Sequence, residues 1–250
     1  MMGVATPQRA LVRDTSDASG QHVEDLARYR FAAQFVAGCR VLDVACGSGY
    51  GSSLLWAEGK ARQVIGADVS IEALECATRF RVPGRVEFAL AKAESLPFPD
   101  SEFDVVVSME TFEHLAHPKE FLRELRRVLR PGGPVVVSTP LNNSPGRLRP
   151  QNPYHIREYS TEEFAGLLQA VFSEMQLCSQ VSEFVYEPLW SPLEKLRGEN
   201  AVGSALKRCT PIVVRQLVRR LLGSKGRHVV GSQVAGGYSA GAAYQIAVCT

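Results

Sequence analysis

The segment VLDVACGSGYG, residues Val41–Gly51, decides the fold together with VIGADVS, which ends at Ser70. The first segment has the pattern of a buried strand, a glycine-rich turn and a helix start. The second has the pattern of another buried strand, and it ends on an acid, Asp68. Glycines let backbone amides approach a ligand, a helix start favours anionic groups, and an acid about twenty residues further on suits ribose hydroxyls. The two segments therefore predict a nucleotide-type cofactor site at the edge of a parallel sheet.

The composition is that of an ordinary globular protein. The chain has 250 residues, 45% of them hydrophobic, and its formal net charge of +2 is too small to indicate nucleic acid as the main partner. No apolar run approaches the ~20 residues that span a bilayer, and the first residues lack the apolar core of a signal peptide. The cysteines are scattered and form no C-x-x-C pair, which fits free thiols. We therefore expect a cytoplasmic protein with no nucleic-acid partner and no transmembrane segment.

Strand and helix patterns alternate through the first part of the chain. Short runs rich in β-branched residues predict strands that are buried on both faces. The predicted strands are Arg40–Ala45, Gln63–Asp68, Val86–Leu90, Phe103–Met109 and Val135–Thr139. The predicted helices are His22–Val36, Gly51–Trp56, Ile71–Phe80 and Pro118–Leu129. Such alternation with short links predicts an α/β fold with a doubly wound, mostly parallel sheet.

The pattern changes after Thr139. Residues 140–158 have the composition of a loop, and Ser160 with Glu163 predicts a capping box at the start of another helix. An apolar strand is predicted over Met175–Tyr186. A last strand is expected within residues 240–249, at Ala242–Val248.

An insertion of about residues 188–238 fits no α/β repeat, and we expect it to include a lid over the acceptor. Its segment at 211–222 has apolar residues at helical spacing and a basic opposite face. The segment is open to two interpretations: a helix that binds a membrane surface or a lipid-linked substrate, or an ordinary helix packed on its own domain or on a second copy in a homodimer. The latter is favoured. Residues 1–20 are polar, and we expect them to be flexible.

The glycine spacing argues against a dinucleotide site. In G-S-G-Y-G the third position of the G-x-G-x-x-G pattern falls on Ser52, where glycine or alanine is expected. Asp43, just ahead of the turn, suits a ligand that carries an ammonium group better than it suits a pyrophosphate.

Several motifs in order resemble the class I S-adenosylmethionine-dependent methyltransferases. DVACGSGYG is similar to the first motif of that family, GADVS to its acidic ribose strand, AESLPFPDSEFDVVVSMETFEHL to its adenine loop and fourth strand, and RVLRPGGPVVVSTP to its fifth-strand entry. The resemblance implies a single Rossmann-like domain over residues 1–250, with a seven-stranded sheet, a cap helix at 22–36 and a cofactor-binding core at 37–180. It implies S-adenosylmethionine as the cofactor and an enzyme as the function.

The resemblance also implies which residues hold the cofactor. Asp43, Gly47 and Gly49 would hold the methionine portion, Asp68 the ribose, and Val69 would flank the adenine. Lys92 stands where the family usually has an acid, so either the backbone of Ala93 or the side chain of Glu94 would contact the adenine edge. The full predicted set is Asp43, Ala45, Gly47, Ser48, Gly49, Asp68, Val69, Ala93, Glu94 and Met109.

Acid–base and metal-binding residue types follow the fourth predicted strand. Glu110, Glu113 and His114 form E-x-x-E-H, and His155 lies in the later loop NPYHIREYS. Similar sequences bind metal in ubiquinone-pathway and small-RNA O-methyltransferases, so Glu110, Glu113, His114 and His155 are candidate ligands of a divalent ion such as Mg²⁺. Without a metal, His155 or His114 is the candidate general base, because imidazole titrates near neutrality. Both interpretations stay open, as does a merely structural role.

A looser resemblance, to methyltransferases of bacterial glycan and sugar-antibiotic pathways, suggests the acceptor. It implies a hydroxyl of a sugar or of a glycosylated natural-product intermediate, contacted by Tyr29, Arg30, Tyr154, Arg157 and Tyr159. N-methylation of an amino sugar and C- or O-methylation of a quinone precursor are alternatives. A non-catalytic partner subunit is an alternative of another class, which the intact first motif disfavours.

Overall fold

The computed structural model describes residues 20–142, 152–182, 185–190 and 244–250. Five parallel strands form one half of its sheet, in the order β3-β2-β1-β4-β5. These strands are β1 (Arg40–Val44), β2 (Gln63–Asp68), β3 (Val86–Leu90), β4 (Val105–Ser108) and β5 (Val135–Pro140). The strands β2 and β3 are added on one side of β1 and the strands β4 and β5 on the other, so the loops after β1 and β4 lie side by side at the carboxyl edge, where ligands bind in such sheets.

Three further strands extend the sheet beyond β5 in antiparallel pairings, in the order β5-β8-β6-β7. They are β6 (Met175–Ser182), β7 (Val185–Trp190) and β8 (Tyr244–Cys249). The α/β class and the mostly parallel, doubly wound arrangement are confirmed. The described sheet has eight strands, because the single strand predicted over Met175–Tyr186 is divided into β6 and the additional edge strand β7.

Helices cover both faces of the sheet. They are α1 (Gly20–Ala33), α2 (Tyr50–Ala57), α3 (Ile71–Ala77), α4 (Pro118–Val128) and α5 (Thr161–Gln169), with short 3₁₀ turns at Thr78–Phe80 and Phe112–His114. Along β5, Val135 and Val137 pack into the core with α4 and α5, whereas Val136 packs into the core with α1 and α2. This alternation explains why the central strands are apolar throughout.

Within the described part of the chain, no helix has both the length and the hydropathy that a membrane crossing requires. The predicted flexible segment 1–20 (apart from Gly20), most of the insertion at 188–238 and the whole basic stretch at 211–222 lie outside the described residues.

The capping box at the start of α5 is confirmed. The Ser160 hydroxyl accepts a hydrogen bond from the backbone N–H of Glu163 (3.2 Å), and the Glu163 carboxylate accepts one from the backbone N–H of Ser160 (3.0 Å). These bonds satisfy backbone groups that a helix start leaves without intrahelical partners.

We expect Ser160→Ala to lower the free energy of unfolding by about 1 kcal/mol, because it removes the acceptor at the N-cap of α5. Urea denaturation of the variant and the wild-type protein measures the difference. Ser160→Asp is the matched control, because aspartate keeps an acceptor at this position and should retain most of the stability. Equal stability of Ser160→Ala and wild type would show that this cap contributes nothing.

Candidate active site

The turn between β1 and α2 has a left-handed backbone, with φ of 57° at Gly47 and 81° at Gly49. A Cβ atom at Gly49 would lie 2.7 Å from Ala77 Cβ and 2.7 Å from Phe88 Cζ, so this glycine is required for packing. A Cβ atom at Gly47 would meet no atom within 4 Å. The two glycines thus differ. Gly49 packs closely against Ala77 and Phe88, whereas Gly47 faces open space from which a ligand could approach.

Asp68 joins this turn to the end of β2. Its carboxylate accepts a hydrogen bond from the backbone N–H of Gly47 (2.8 Å) and another from the backbone N–H of Ser70 (3.0 Å). The side chain is almost fully buried. Asp68, at the end of β2, therefore lies against the glycine turn, as the sequence predicts. Its contact with a ribose stays a prediction.

Asp43 lies beneath the turn and is fully buried. Its Oδ2 accepts a hydrogen bond from the Ser52 hydroxyl (2.6 Å), and its Oδ1 accepts one from the Tyr29 hydroxyl (3.2 Å). The carboxylate thereby ties α1 and α2 to β1, and the contact of Asp43 with the methionine portion of a cofactor stays a prediction.

The turn fits a polar, partly charged ligand. The Ser48 hydroxyl is buried and has no hydrogen-bond partner among the described residues, and the space in front of Gly47 is open. A buried hydroxyl without a partner is costly unless a ligand or water completes it. Ala45, predicted for the same site, has a positive φ of 60°, which is uncommon for a residue with a side chain.

The other predicted cofactor residues line the same edge of the sheet. Val69 and Leu90 are apolar yet more than half exposed, next to Asp68 in the chain and in the strand register respectively. Ala93 and Glu94 are partly buried in the loop after β3, Lys92 is exposed, and Met109 is buried at the end of β4. Exposed apolar side chains beside a polar turn are suited to the faces of a planar ring.

Glu110 follows β4 with φ of 50°, a left-handed conformation that is strained for a residue with a side chain. The Ser138 hydroxyl donates to Glu110 Oε1 (2.6 Å) and accepts from the backbone N–H of Glu110 (3.1 Å). The guanidinium of Arg28 lies 3.7 Å from the same carboxylate. Burial raises the pKa of Glu110, and Arg28 and Ser138 oppose that rise.

Arg28 is the central cation of this cluster and is almost fully buried. It donates to Gln180 Oε1 (2.7 Å) and to Asp25, and its guanidinium lies 4.0 Å from the ring centre of Tyr244. Burial alone would lower the pKa of Arg28, but Glu110 and Asp25 together raise it. The N-terminal helix is thereby fixed to the end of β4 and to the antiparallel strands.

A second cluster brings together Glu113, His114 and His155, whose potential ligand atoms lie within 4.8 Å of one another. Thr139 Oγ1 donates to Glu113 Oε2 (3.0 Å), and the backbone carbonyl of Glu113 accepts from the N–H of Ile156 (2.7 Å). As predicted, a second imidazole, that of His155, lies close to His114 although it comes from another loop. Glu110 is not in this group, which corrects the predicted set of four metal candidates.

The hydrogen bonds of the two imidazoles indicate their tautomers. Nδ1 of His114 lies 2.9 Å from the carbonyl oxygen of Tyr154, and Nδ1 of His155 lies 2.9 Å from Glu158 Oε1. Each Nδ1 faces an acceptor and is therefore the donor of that hydrogen bond, and His114 Nε2 lies 3.6 Å from Glu113 Oε1. His155 Nε2 faces the amide nitrogen of Asn152 at 3.0 Å. The cluster could hold a divalent ion through one carboxylate and two imidazoles, or could work as a base without one.

The predicted acceptor contacts do not converge. Tyr29 is buried and bonded to Asp43, Arg30 pairs with Glu58 at the far end of α2 (3.2 Å), and Tyr159 lies in the core against Phe112. These positions correct the predictions for these three residues, since none of them faces the two-histidine cluster.

Tyr154 and Arg157 remain near that cluster. Tyr154 is half exposed, and Arg157 donates to Glu163 (2.6 Å). The predicted set of site residues left out Arg28, Ser138, Asn152 and Glu158. Of these, only Glu158 had a local signal, the H-x-x-E spacing from His155.

The family comparison gives a match over the middle of the chain. Residues 42–137 match the family model described as a methyltransferase domain. That stretch contains the glycine turn, Asp68, the loop after β3 and E-x-x-E-H. The predicted cofactor class is supported, because enzymes of this class take their methyl group from S-adenosylmethionine.

Named relatives agree with this class. A Mycolicibacterium smegmatis protein named "Probable S-adenosylmethionine-dependent methyltransferase" is 42% identical over 150 residues, which cover 59% of this chain and 57% of that protein. A demethylmenaquinone methyltransferase of Clavibacter sepedonicus is 44% identical over 110 residues, covering 42% of this chain and 44% of that protein. The chain thus spans about half the length of the curated relatives it matches.

The fold is shared more widely than the sequence. The crystal structure of a SAM-dependent methyltransferase from Thermotoga maritima has a TM-score of 0.59 at 18% identity and covers 92% of this chain and 91% of its own. At that identity the likeness shows the Rossmann-like methyltransferase fold, and nothing about the acceptor.

We expect Gly51→Ala to destabilise the protein by about 1–3 kcal/mol, because the added Cβ would lie 2.0 Å from Cζ of Tyr29 and would force α1 away from α2. Gly166→Ala in α5 is the matched control, since its Cβ would meet nothing within 4 Å. That variant should keep or raise stability. Thermal unfolding of both variants measures the difference, and equal behaviour would contradict the packing of Tyr29 on Gly51.

Proposed function

We propose that the chain is an S-adenosylmethionine-dependent methyltransferase that transfers the methyl group to a hydroxyl of a small acceptor. The observation that carries the proposal is that two groups of residues follow parallel strands at the same, carboxyl edge of the sheet. One is the glycine turn with Asp68, and the other is the Glu113–His114–His155 cluster with its two oriented imidazoles. A cofactor site beside a candidate base is the arrangement that methyl transfer to oxygen needs.

In this proposal Gly47, Ser48 and Asp68 make the polar contacts with the cofactor. When bound, S-adenosylmethionine supplies a methyl group that is already activated on a sulfonium. The protein therefore has to orient the acceptor, exclude water and remove a proton. Ala45, Gly49 and Met109 complete the methionine side of the site, and Val69, Ala93 and Glu94 the adenine side.

His155 is the proposed general base. Glu158 accepts from its Nδ1 and so orients the ring with Nε2 as the proton acceptor, and Asn152 faces that Nε2 in the absence of an acceptor. His114, held by the carbonyl of Tyr154, is the neighbouring imidazole at 5.0 Å between ring centres. In the metal-dependent version of the proposal, both imidazoles and Glu113 would hold a divalent ion, which would supply Lewis-acid activation of the acceptor.

The acceptor is proposed from the surface beside the histidines. A hydroxyl of a sugar or glycosylated intermediate is the first candidate, supported by the half-exposed ring of Tyr154 and by Arg157. A quinone precursor is the second candidate. Two observations favour it: Tyr154 and Ile156, on either side of His155, are both exposed and offer apolar surface, and one relative is named as a demethylmenaquinone methyltransferase.

We expect the protein to bind S-adenosylhomocysteine with micromolar affinity in calorimetric titration, both with Mg²⁺ and with EDTA. Asp68→Ala should weaken this binding by about 1–3 kcal/mol, because it removes the buried carboxylate beside Gly47. Asp68→Asn keeps an acceptor oxygen and should lose less. Wild-type affinity in Asp68→Ala would rule out the ribose contact, and no binding to the wild type would reject the methyltransferase proposal.

We expect His155→Ala to lower the methyl-transfer rate by about 10²–10⁴-fold with unchanged affinity for S-adenosylhomocysteine, because it removes the base and leaves the cofactor site intact. Transfer of labelled methyl groups to a panel of sugar and quinol acceptors measures the rate. His117→Ala, in an exposed histidine at the start of α4, is the matched control.

Inhibition by EDTA that Mg²⁺ reverses would select the metal-dependent version of this proposal. An unchanged rate in His155→Ala would remove His155 from both versions. Cofactor binding without transfer to any acceptor of either class would favour the non-catalytic partner subunit.

A further inference from the structure

Two side chains of helix α4 form hydrogen bonds with the backbone of Leu96, in the loop after β3. The backbone N–H of Leu96 donates to Glu124 Oε2 (2.8 Å), and the carbonyl of Leu96 accepts from Arg127 Nη2 (2.9 Å). Glu124 and Arg127 are one helical turn apart on α4, so their side chains lie on the same face. The same helix face therefore fixes both the position and the orientation of the loop backbone at Leu96.

Arg127 also forms hydrogen bonds with residues further along the loop. Its Nη1 donates to the carbonyl of Phe98 (2.7 Å) and to the carboxylate of Asp100 (2.8 Å), while Nε and Nη2 bond the two oxygens of Glu124 (2.8 and 2.7 Å). The guanidinium thus uses its planar fork for two backbone carbonyls and two carboxylates at once. A lysine could not reproduce this geometry.

The opposite end of the same loop is fixed at the cofactor side. The backbone N–H of Ala91 donates to the carbonyl of Asp68 (2.9 Å), and the N–H of Ser95 donates to the carbonyl of Lys92 (3.0 Å) in a tight turn. Ala93 and Glu94 lie between these two anchors. Their backbone positions are therefore set by Asp68 on one side and by α4 on the other.

The side chains of residues 92–94 offer one acceptor for base recognition, the carboxylate of Glu94. Lys92 is exposed and carries no acceptor, and Ala93 has only a methyl group. An adenine edge has an amino donor and ring-nitrogen acceptors, which backbone carbonyl and N–H groups can match if they are held still. Discrimination by hydrogen bonds depends on such fixed groups, because a mismatched ligand then leaves them unpaired.

We propose that Glu124 and Arg127 are positioning residues that give the cofactor site its specificity for adenine, by holding the backbone of residues 91–98. The inference rests on the proposed function, since it requires an adenine-containing cofactor at this loop. Neither residue touches the cofactor. Both act from a helix that also packs, through Phe121, against the ring of Phe112 in the turn that carries Glu113 and His114.

The test compares two ligands that differ only at the base, S-adenosylhomocysteine and its deaminated analogue S-inosylhomocysteine. We expect the wild-type protein to prefer the adenine ligand. Arg127→Ala should weaken binding of S-adenosylhomocysteine by about tenfold and binding of the inosine analogue far less, so the preference collapses. A general loss of folding would weaken both ligands alike and would keep the preference.

Two further variants sharpen the test. Arg126→Ala is the matched control, because Arg126 is the neighbouring arginine on α4 and is exposed. It should keep the preference. Glu124→Gln keeps an acceptor for the Leu96 N–H but loses the charge that Arg127 pairs with, so it should lower the preference less than Arg127→Ala does. Hydrogen exchange in the ligand-free protein should show a faster Leu96 amide in Arg127→Ala.

The possible failures are distinguishable. Wild-type protein that does not bind S-adenosylhomocysteine would overturn the proposed function and this inference with it. Wild-type binding, with the full preference retained in a folded Arg127→Ala, would overturn this inference alone. Loss of the preference in Glu94→Gln but not in Arg127→Ala would also overturn it, because recognition would then lie in a side chain.

Discussion

The carboxylate of Asp68 is the interaction on which the rest of the site depends. It accepts from Gly47 in the first turn and from Ser70 at the start of the second helical connection, so two adjacent crossovers of the sheet share one buried acid. Backbone amides are strong donors to a carboxylate, and their geometry is set by the turn itself. The left-handed glycine, the open space before it and the start of α3 are therefore fixed relative to one another before any ligand arrives.

Buried charge is concentrated at the same edge of the sheet. Arg28, within α1, pairs with Asp25 and with Glu110 after β4, and Asp43 and Glu113 are buried as well. Burying such groups is costly unless each is paired or hydrogen-bonded, and here most of the bonds run between elements distant in sequence. The cluster therefore fixes the N-terminal helix α1 to the strands that form the site.

The sequence alone predicted most of the fold, because strands buried on both faces and glycine-rich turns leave strong local patterns. β2 and β3 have the bounds expected from Gln63–Asp68 and Val86–Leu90, and the capping box at Ser160 is where its spacing places it. The division of the later strand into β6 and β7 was not predicted, since its apolar pattern runs on without a turn signal that sequence reasoning could use.

The site was predicted less completely, for reasons of geometry. The sequence spacing predicts that the side chains of Glu110 and Glu113 lie together. The backbone of Glu110 is left-handed, however, and its side chain contacts Arg28 and Ser138. Tyr159 has the polar tip of a ligand-binding residue, yet its ring packs edge-on against Phe112 in the core. Contacts between α1 and the end of β4 join residues more than eighty positions apart, and no local pattern records them.

The place of β8 has a consequence for how the protein is made. Residues Tyr244–Cys249 follow β6 and β7 in the chain, yet β8 lies between β5 and β6 in the sheet. During synthesis, β5 and β6 therefore cannot join through β8 until the ribosome has added the residues up to 249. Until then both strands present unpaired backbone groups that other chains could capture. The nascent chain is thus most exposed to wrong pairing at the edge that the finished sheet hides in its interior.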